Sequence, residues 1–398
     1  MSEHDTYVFV VTPEGHAPEV TKSRVTKAVL ERLAQQVGGA DTAEVLRDPA
    51  LATLVRPALT AALPGDLLYF VPHNVLHRIP LHAVQVDGAP VIDRHPVVTV
   101  PSASALRYCR AKRKGRRRSA LIVADPAGAP APLVFAREQA LAIAEEFDHC
   151  RLVSGPDASR ESLIRTLRGQ QDWPDILHFT AHGVYDPQAP MQSGIELSDG
   201  RLTAADILGL SLDVDLVTLG ACESGVGAST AGDDMIGLAW SLFYAGTPTA
   251  LVSLWRVDEL STSMLLTRFY TELQAGLSKA DALRVAQMWL RGLSSADVLV
   301  HADTACRRLG DEPGFARIVR EHEAWLRLTS DDFAGALALY RGLAADPALP
   351  HTERERLELL QTQTALLSRR GTGSPTADRH PFADPRYWAP FLLTGDWV

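Results

Sequence analysis

A mostly parallel β-sheet with helices on both faces is the fold this sequence predicts, and three observations predict it. Short, almost wholly apolar runs recur along the chain at 66–71, 97–100, 120–125, 175–181, 215–221 and 249–254. Strands buried on both faces read in this continuous way, whereas a strand with one wet face alternates. Segments with apolar residues at spacings of three and four separate most of the later runs, as helices do in α/β units. Pro, Gly and Asp punctuate the junctions, where such residues stop strands and helices.

Taken in order, the chain opens with a strand at 7–11, followed by helices at about 22–38 and 43–62. The runs 66–71 and 97–100 end at Pro72 and Pro101, and a helix starts near Ser102 or Ser104. The basic run Lys112-Arg-Lys-Gly-Arg-Arg-Arg118 reads as a solvated linker between two strand-rich blocks, with a protease-sensitive loop or a basic docking patch as alternatives. Beyond the strand at 120–125, Ala136, Ala140, Ile143 and Phe147 mark a helix, and Ser159 caps another that runs through Leu167. Asp199-Gly200 between apolar flanks signals a hairpin. Helices follow at 235–245 and 261–273, on either side of the strand 249–254.

The stretch 295–375 is charged and helical, and 332–347 resembles one helix of a tetratricopeptide repeat. One copy does not make an array, because stacking needs about three units. Gly371-Thr-Gly-Ser-Pro375 is a break, after which Tyr387-Trp-Ala-Pro-Phe-Leu-Leu393 is apolar again and returns to the sheet.

Composition narrows the function classes. Of 398 residues, 46% are hydrophobic and 22% charged, enough for one large core or two abutting domains. A net charge of −9 gives no support for a nucleic-acid or acidic-membrane partner. No apolar run approaches the roughly 20 residues that span a bilayer, and the first residues do not read as a secretory signal. Cys109, Cys150, Cys222 and Cys306 are scattered without metal or disulfide spacing, which fits a reduced, cytoplasmic setting.

Two strand ends hold the strongest chemistry. One strand runs out at Thr180-Ala-His182-Gly183, the other at Leu219-Gly-Ala-Cys222. In an open parallel sheet the groups just past the carboxyl ends of the strands line the ligand crevice. If the strands are neighbours, His182 can take the proton of the Cys222 thiol and so create the attacking thiolate. The N–H of Gly183 would then approach a substrate oxyanion closely. Taken singly, Cys222 reads as a small buried hydrophobe and His182 as a loop histidine. His178 and His182 are four apart, but a strand does not place such a pair for a metal, and no other ligand spacing supports one.

The segments Ile176-Leu-His-Phe-Thr-Ala-His-Gly183 and Asp215-Leu-Val-Thr-Leu-Gly-Ala-Cys-Glu-Ser-Gly225 resemble the two signature blocks of the CHAT domain, a bacterial-type branch of the caspase and separase clan of cysteine peptidases. Leu76-His-Arg-Ile-Pro-Leu-His82, Pro101-Ser-Ala-Ser-Ala105, Gly232-Asp-Asp-Met-Ile-Gly237, Leu254-Trp-Arg-Val-Asp258 and Tyr387-Trp-Ala-Pro-Phe391 extend the likeness to nearly the whole chain outside 295–375.

The resemblance implies a caspase-like α/β fold and peptide-bond hydrolysis without a cofactor or metal. His182 is then the base and Cys222 the nucleophile, with the N–H groups of Gly183 and Cys222 as the oxyanion hole. An acidic pocket floor falls to Asp258, with Asp233 and Asp234 behind it, although Asp258 reads equally well as a helix N-cap. The expected organisation is a supporting half at 1–111, the basic linker 112–118, a catalytic half at 119–294, a helical insertion at 295–375 and a returning strand within 376–398. The resemblance suggests a dedicated protein substrate, a gasdermin-like or other antiphage effector among them. The loops at 184–194 and 225–234, with their Gly, Pro and Gln content, are expected to hold the enzyme inactive until a protein partner or cleavage orders them. A binding or scaffolding module with an idle dyad is the competing expectation.

Overall fold

The computed structural model describes residues 4–13, 17–115, 117–128, 133–169, 173–220, 228–229, 235–309, 315–347, 349–370 and 380–398. The chain divides into two compact units, one made of Met1–Met288 with Pro385–Val398 and the other of Trp289–Asp384.

The first unit opens with the hairpin β1 (Thr6–Val10) and β2 (Glu19–Ser23), then α1 (Lys27–Gln36), α2 (Thr42–Val45) and α3 (Pro49–Ala61). Next come β3 (Leu68–Phe70), the small pair β4 (Gln85–Val86) and β5 (Ala89–Pro90), β6 (Val97–Thr99) and α4 (Ala103–Lys112). β7 (Ser119–Pro126), α5 (Val134–Ala144), β8 (His149–Gly155), α6 (Arg160–Gly169) and β9 (Ile176–Thr180) follow. A small antiparallel sheet holds β10 (Gly183–Val184), β11 (Gly194–Leu197) and β12 (Gly200–Thr203), ahead of α7 (Ala204–Leu208) and β13 (Leu216–Leu219). The pair β14 (Ala228–Ser229) and β15 (Met235–Ile236) precedes α8 (Leu238–Ala245), β16 (Thr249–Ser253), α9 (Glu259–Gln274) and α10 (Lys279–Gly292). The helices α11 (Ser295–Leu309), α12 (Phe315–Thr329), α13 (Phe333–Ala344) and α14 (His351–Arg370) belong to the second unit. α15 (Pro385–Trp388) and β17 (Phe391–Gly395) return to the first.

Among the described residues, eight strands form the main sheet in the order β3-β6-β17-β16-β13-β9-β7-β8. Every neighbouring pair is parallel except β17 against β16. The predicted fold, a mostly parallel sheet flanked by helices, is therefore the one observed. β9, β13 and β16 are buried at every residue, which is why their sequences read as continuous apolar runs.

Several expectations change in detail. The predicted helix at 22–38 begins only at Lys27, where the Thr26 side chain accepts from Val29 N. The polar segment before it is β2, held by its pairing with β1 rather than by burial. The predicted helix at 43–62 is two helices, because Asp48 caps a new one and Pro49 sits in its first turn. Proline fits there, since the first turn has no intrahelical acceptor for its missing N–H. β8 lies at the edge of the sheet, half wet and only partly apolar, and reads as no strand in the sequence.

The basic run 112–118 is also not a free linker. The Arg113 guanidinium donates to both Asp396 oxygens at 2.7 and 2.6 Å. Lys114 pairs with Asp213 at 2.7 Å, and its backbone N–H donates to Asp215 Oδ1 at 3.1 Å. The N–H groups of Arg118 and Ser119 donate to Asp175 Oδ2 at 2.9 and 3.0 Å. The fully buried Lys279 ammonium lies 2.9 Å from Asp215 Oδ2 and donates to Thr249 Oγ1 at 3.0 Å. Asp175, Asp215 and Thr249 lead into β9, β13 and β16, and Asp396 follows antiparallel β17. All four mark the sheet edge opposite the carboxyl ends of β7, β9, β13 and β16. The run is a clamp on that edge, since buried carboxylates demand charged partners.

In the second unit α11 packs on α12, α12 on α13 and α13 on α14. Its core holds Ala324, Ala336, Tyr340, Leu343, Leu349 and Leu357, and Trp325 stacks on Phe382 at 6.0 Å. Among the described residues, no helix is long and apolar enough to cross a membrane.

Candidate active site

The carboxyl ends of β9 and β13 are neighbours in register. Leu216, Val217, Thr218 and Leu219 oppose Ile176, Leu177, His178 and Phe179, and Gly220 N donates to Phe179 O at 2.8 Å. The two strands therefore release their chains at the same edge, one towards His182 and the other towards Cys222. A Cβ on Gly220 would stand 2.9 Å from Phe179 O, so only glycine lets the two backbones approach this closely.

His182 is half-buried, and its carbonyl accepts from Glu196 N at 2.8 Å. That bond fixes the pairing of Gly183 with Ile195 as the non-hydrogen-bonded kind, in which the bonds run between the flanking residues. The Gly183 N–H thus points away from β11, on the side where no further strand pairs with β10 among the described residues.

Cys222, Asp233 and Asp234 lie outside the described residues. Asp258 is the N-cap of α9, where its Oδ1 accepts from Ser261 N at 2.8 Å. The loop 184–194 is tied internally: Asp186 N donates to Ser193 Oγ, and Asp186 Oδ1 accepts from Gln188 N and Ala189 N. Most of the other expected regulatory loop, 225–234, falls outside the described residues.

Beneath the strand ends lies a chain of buried polar side chains that the sequence reading did not single out. Gln139 on α5 donates from Nε2 to Thr262 O on α9 at 3.2 Å. Its Oε1 accepts from Thr180 Oγ1 at 2.5 Å. Thr180 Oγ1 lies 2.6 Å from His178 Nε2. The Tyr270 hydroxyl donates to Thr218 Oγ1 at 2.7 Å and lies 3.2 Å from His178 Nδ1. Burial pushes the His178 ring down to about 3, so it is neutral and both nitrogens are occupied within this chain. The signal was present as polar residues at alternate positions, His178 and Thr180, in an otherwise apolar strand.

A family model described as CHAT domain matches residues 41–396. The chain belongs to the CHAT domain family. This CHAT domain is 42% identical over 87 residues to tetratricopeptide repeat protein 28 of Homo sapiens, a match covering 22% of this chain and 4% of that protein. The Mus musculus protein of the same name is 38% identical over 90 residues, with the same coverage. The CHAT domain therefore spans a small fraction of the length of these curated relatives.

Among solved structures, it is similar to the Arg-specific cysteine proteinase gingipain R, with 13% identity, a TM-score of 0.45, and 65% of this chain and 68% of that one covered. It is similar also to a Saccharomyces cerevisiae separase–securin complex, with 12% identity, a TM-score of 0.40, and 70% and 20% covered. Both likenesses are distant.

Two other cysteines of this CHAT domain are shielded. Burial pushes the thiols of Cys109 and Cys150 up to about 11, which leaves almost no thiolate at neutral pH. Next to the capping Asp258, the Glu259 carboxylate accepts from Phe135 N at 2.6 Å at the start of α5. Burial raises Glu259 to about 7, against the backbone donors of Phe135 and Ala136. Among the described residues, no group of three or more His, Cys, Asp or Glu could hold a metal ion.

Proposed function

We propose that this CHAT domain is a cysteine endopeptidase in which Cys222 attacks the scissile carbonyl and His182 takes the thiol proton. The observation that carries the proposal is the in-register pairing of β9 with β13, which releases the His182 and Cys222 segments at one edge. Attack by the thiolate gives a tetrahedral oxyanion, and protonated His182 then returns its proton to the leaving amine. Water hydrolyses the resulting thioester. The outward Gly183 N–H, together with that of Cys222, serves the oxyanion, and the reaction draws on protein groups alone.

An acidic pocket floor would favour a basic residue before the scissile bond. Asp233 and Asp234 are the better candidates for it, because Asp258 already caps α9. The substrate is a dedicated protein, with a gasdermin-like or other bacterial antiphage effector as the class to test first. A protein partner that reorders the loops around the site is the proposed activator. A reducing cytoplasm suits an enzyme whose working group is a free thiol.

The test is cleavage of a proteome or of a candidate effector by the purified protein beside Cys222→Ala and His182→Ala. New termini made by the wild type and by neither variant support the proposal. Identical cleavage by all three, or none with any activating partner, contradicts it and leaves the scaffolding alternative.

A further inference from the structure

The buried polar chain under the strand ends has no part in the attack chemistry, yet it touches both strands that lead into the site and the two helices α5 and α9. It starts on α9 at Thr262, crosses α5 at Gln139 and passes through Thr180 and His178 on β9. It closes on α9 again at Tyr270, which also reaches Thr218 on β13. Thr262 and Tyr270 are eight residues apart, so they share one face of the helix. Gln139, Thr180, His178, Tyr270 and Thr218 are all buried. Apolar side chains would fill that layer at lower desolvation cost, and a half-satisfied network would be worse than either.

What hydrogen bonds add to such a layer is register. Apolar contacts between a helix and a sheet tolerate small slides, whereas bonds of 2.5 to 3.2 Å lose most of their strength when displaced. The register matters most at Thr180, the last residue of β9 and two before His182. Across from it, Gly220 stands two before Cys222, and a Cβ on Gly220 would lie 3.6 Å from Thr180 Oγ1.

We infer that the Gln139–Thr180–His178–Tyr270–Thr218 chain is a positioning network, which fixes the end of β9 so that His182 meets the nucleophile. The inference rests on the peptidase reading and deepens it. Thr180 acts through His182 and is a positioning residue, not a catalytic one.

The test compares the rate of Cys222 alkylation by iodoacetamide in Thr180→Val, Thr180→Ser and Tyr270→Phe, each with His182 present and with His182→Ala. Peptide mass spectrometry reads Cys222, and Cys109 serves as the internal reference. Thr180→Val keeps the shape and removes the hydroxyl. With His182 present it slows Cys222 about tenfold, the scale of one buried hydrogen bond, and Thr180→Ser restores most of the rate. In the His182→Ala background the same substitution changes the rate less than about twofold, because the coupled partner is gone.

An equal loss in both backgrounds, or no loss at all, overturns the inference and leaves the peptidase reading standing. Tyr270→Phe gives the same comparison if Thr180→Val does not fold. If Cys222 in the otherwise native protein reacts no faster with His182 than without it, the peptidase reading itself fails, and this inference with it.

Discussion

Beside the candidate site, Gly220 leaves no room for a side chain. Its missing side chain lets β13 close on the Phe179 carbonyl, a backbone atom that cannot rotate away. Gly220→Ala therefore costs about 1–3 kcal/mol, the usual scale of overpacking, measured by urea denaturation. It also slows Cys222 alkylation by moving one strand end. Glu259 gives a second prediction at this scale. Its carboxyl is raised from 4.5 to about 7 by burial, so between those values the folded state keeps a proton that the unfolded chain has lost. Stability attributable to Glu259 is thus highest below that window, falls as pH rises through it and is level above. Glu259→Gln keeps an oxygen for Phe135 N and flattens this slope, read as the melting temperature of both proteins across the window. At residue scale, the two strand ends that lead towards His182 and Cys222 were legible because both strands are apolar runs, whereas Glu259 and Tyr270 were not. Their roles depend on which helix lies over which strand, and local spacing does not state that.

The clamp on the amino ends of the strands decides how the elements are held. Lys279 is fully buried between Asp215 and Asp396, and burial lowers its pKa while both carboxylates oppose that shift. Lys279→Ala leaves buried carboxylates short of a cation and costs about 3–5 kcal/mol. Arg113 is a third exposed, and Arg113→Ala costs clearly less. Equal losses in chemical denaturation of the two variants would contradict the picture of a buried core with a partly screened arm. Sequence showed the basic run but not its partners, because Asp175, Asp215 and Asp396 are far from it along the chain. The strands β9, β13 and β16 were legible since full burial writes itself as an apolar run. β2 and β8 were not, because pairing rather than burial makes them strands.

For the whole molecule, the two compact units carry the prediction. The chain leaves the first unit after Met288 and re-enters it at Pro385. On the two sides of that excursion, Gln287 Nε2 donates to the Trp388 carbonyl at 2.8 Å. A short flexible linker can therefore replace 289–384, because loop closure over so small a gap costs little. The shortened protein is expected to unfold cooperatively and to keep the His182-dependent reactivity of Cys222. Loss of cooperative unfolding would show that the first unit does not stand alone. The helical character of that stretch was readable from its charged, strand-free sequence, while its limits at 289 and 384 depend on contacts that sequence spacing does not encode.

The central claim is that Cys222 and His182 form a working dyad, and sequencing the protein termini produced in a proteome digest tests it most directly. The account predicts new termini, sharing one residue preference before the cut, that appear with the wild type and vanish with Cys222→Ala and with His182→Ala. Termini that persist in either variant would contradict it.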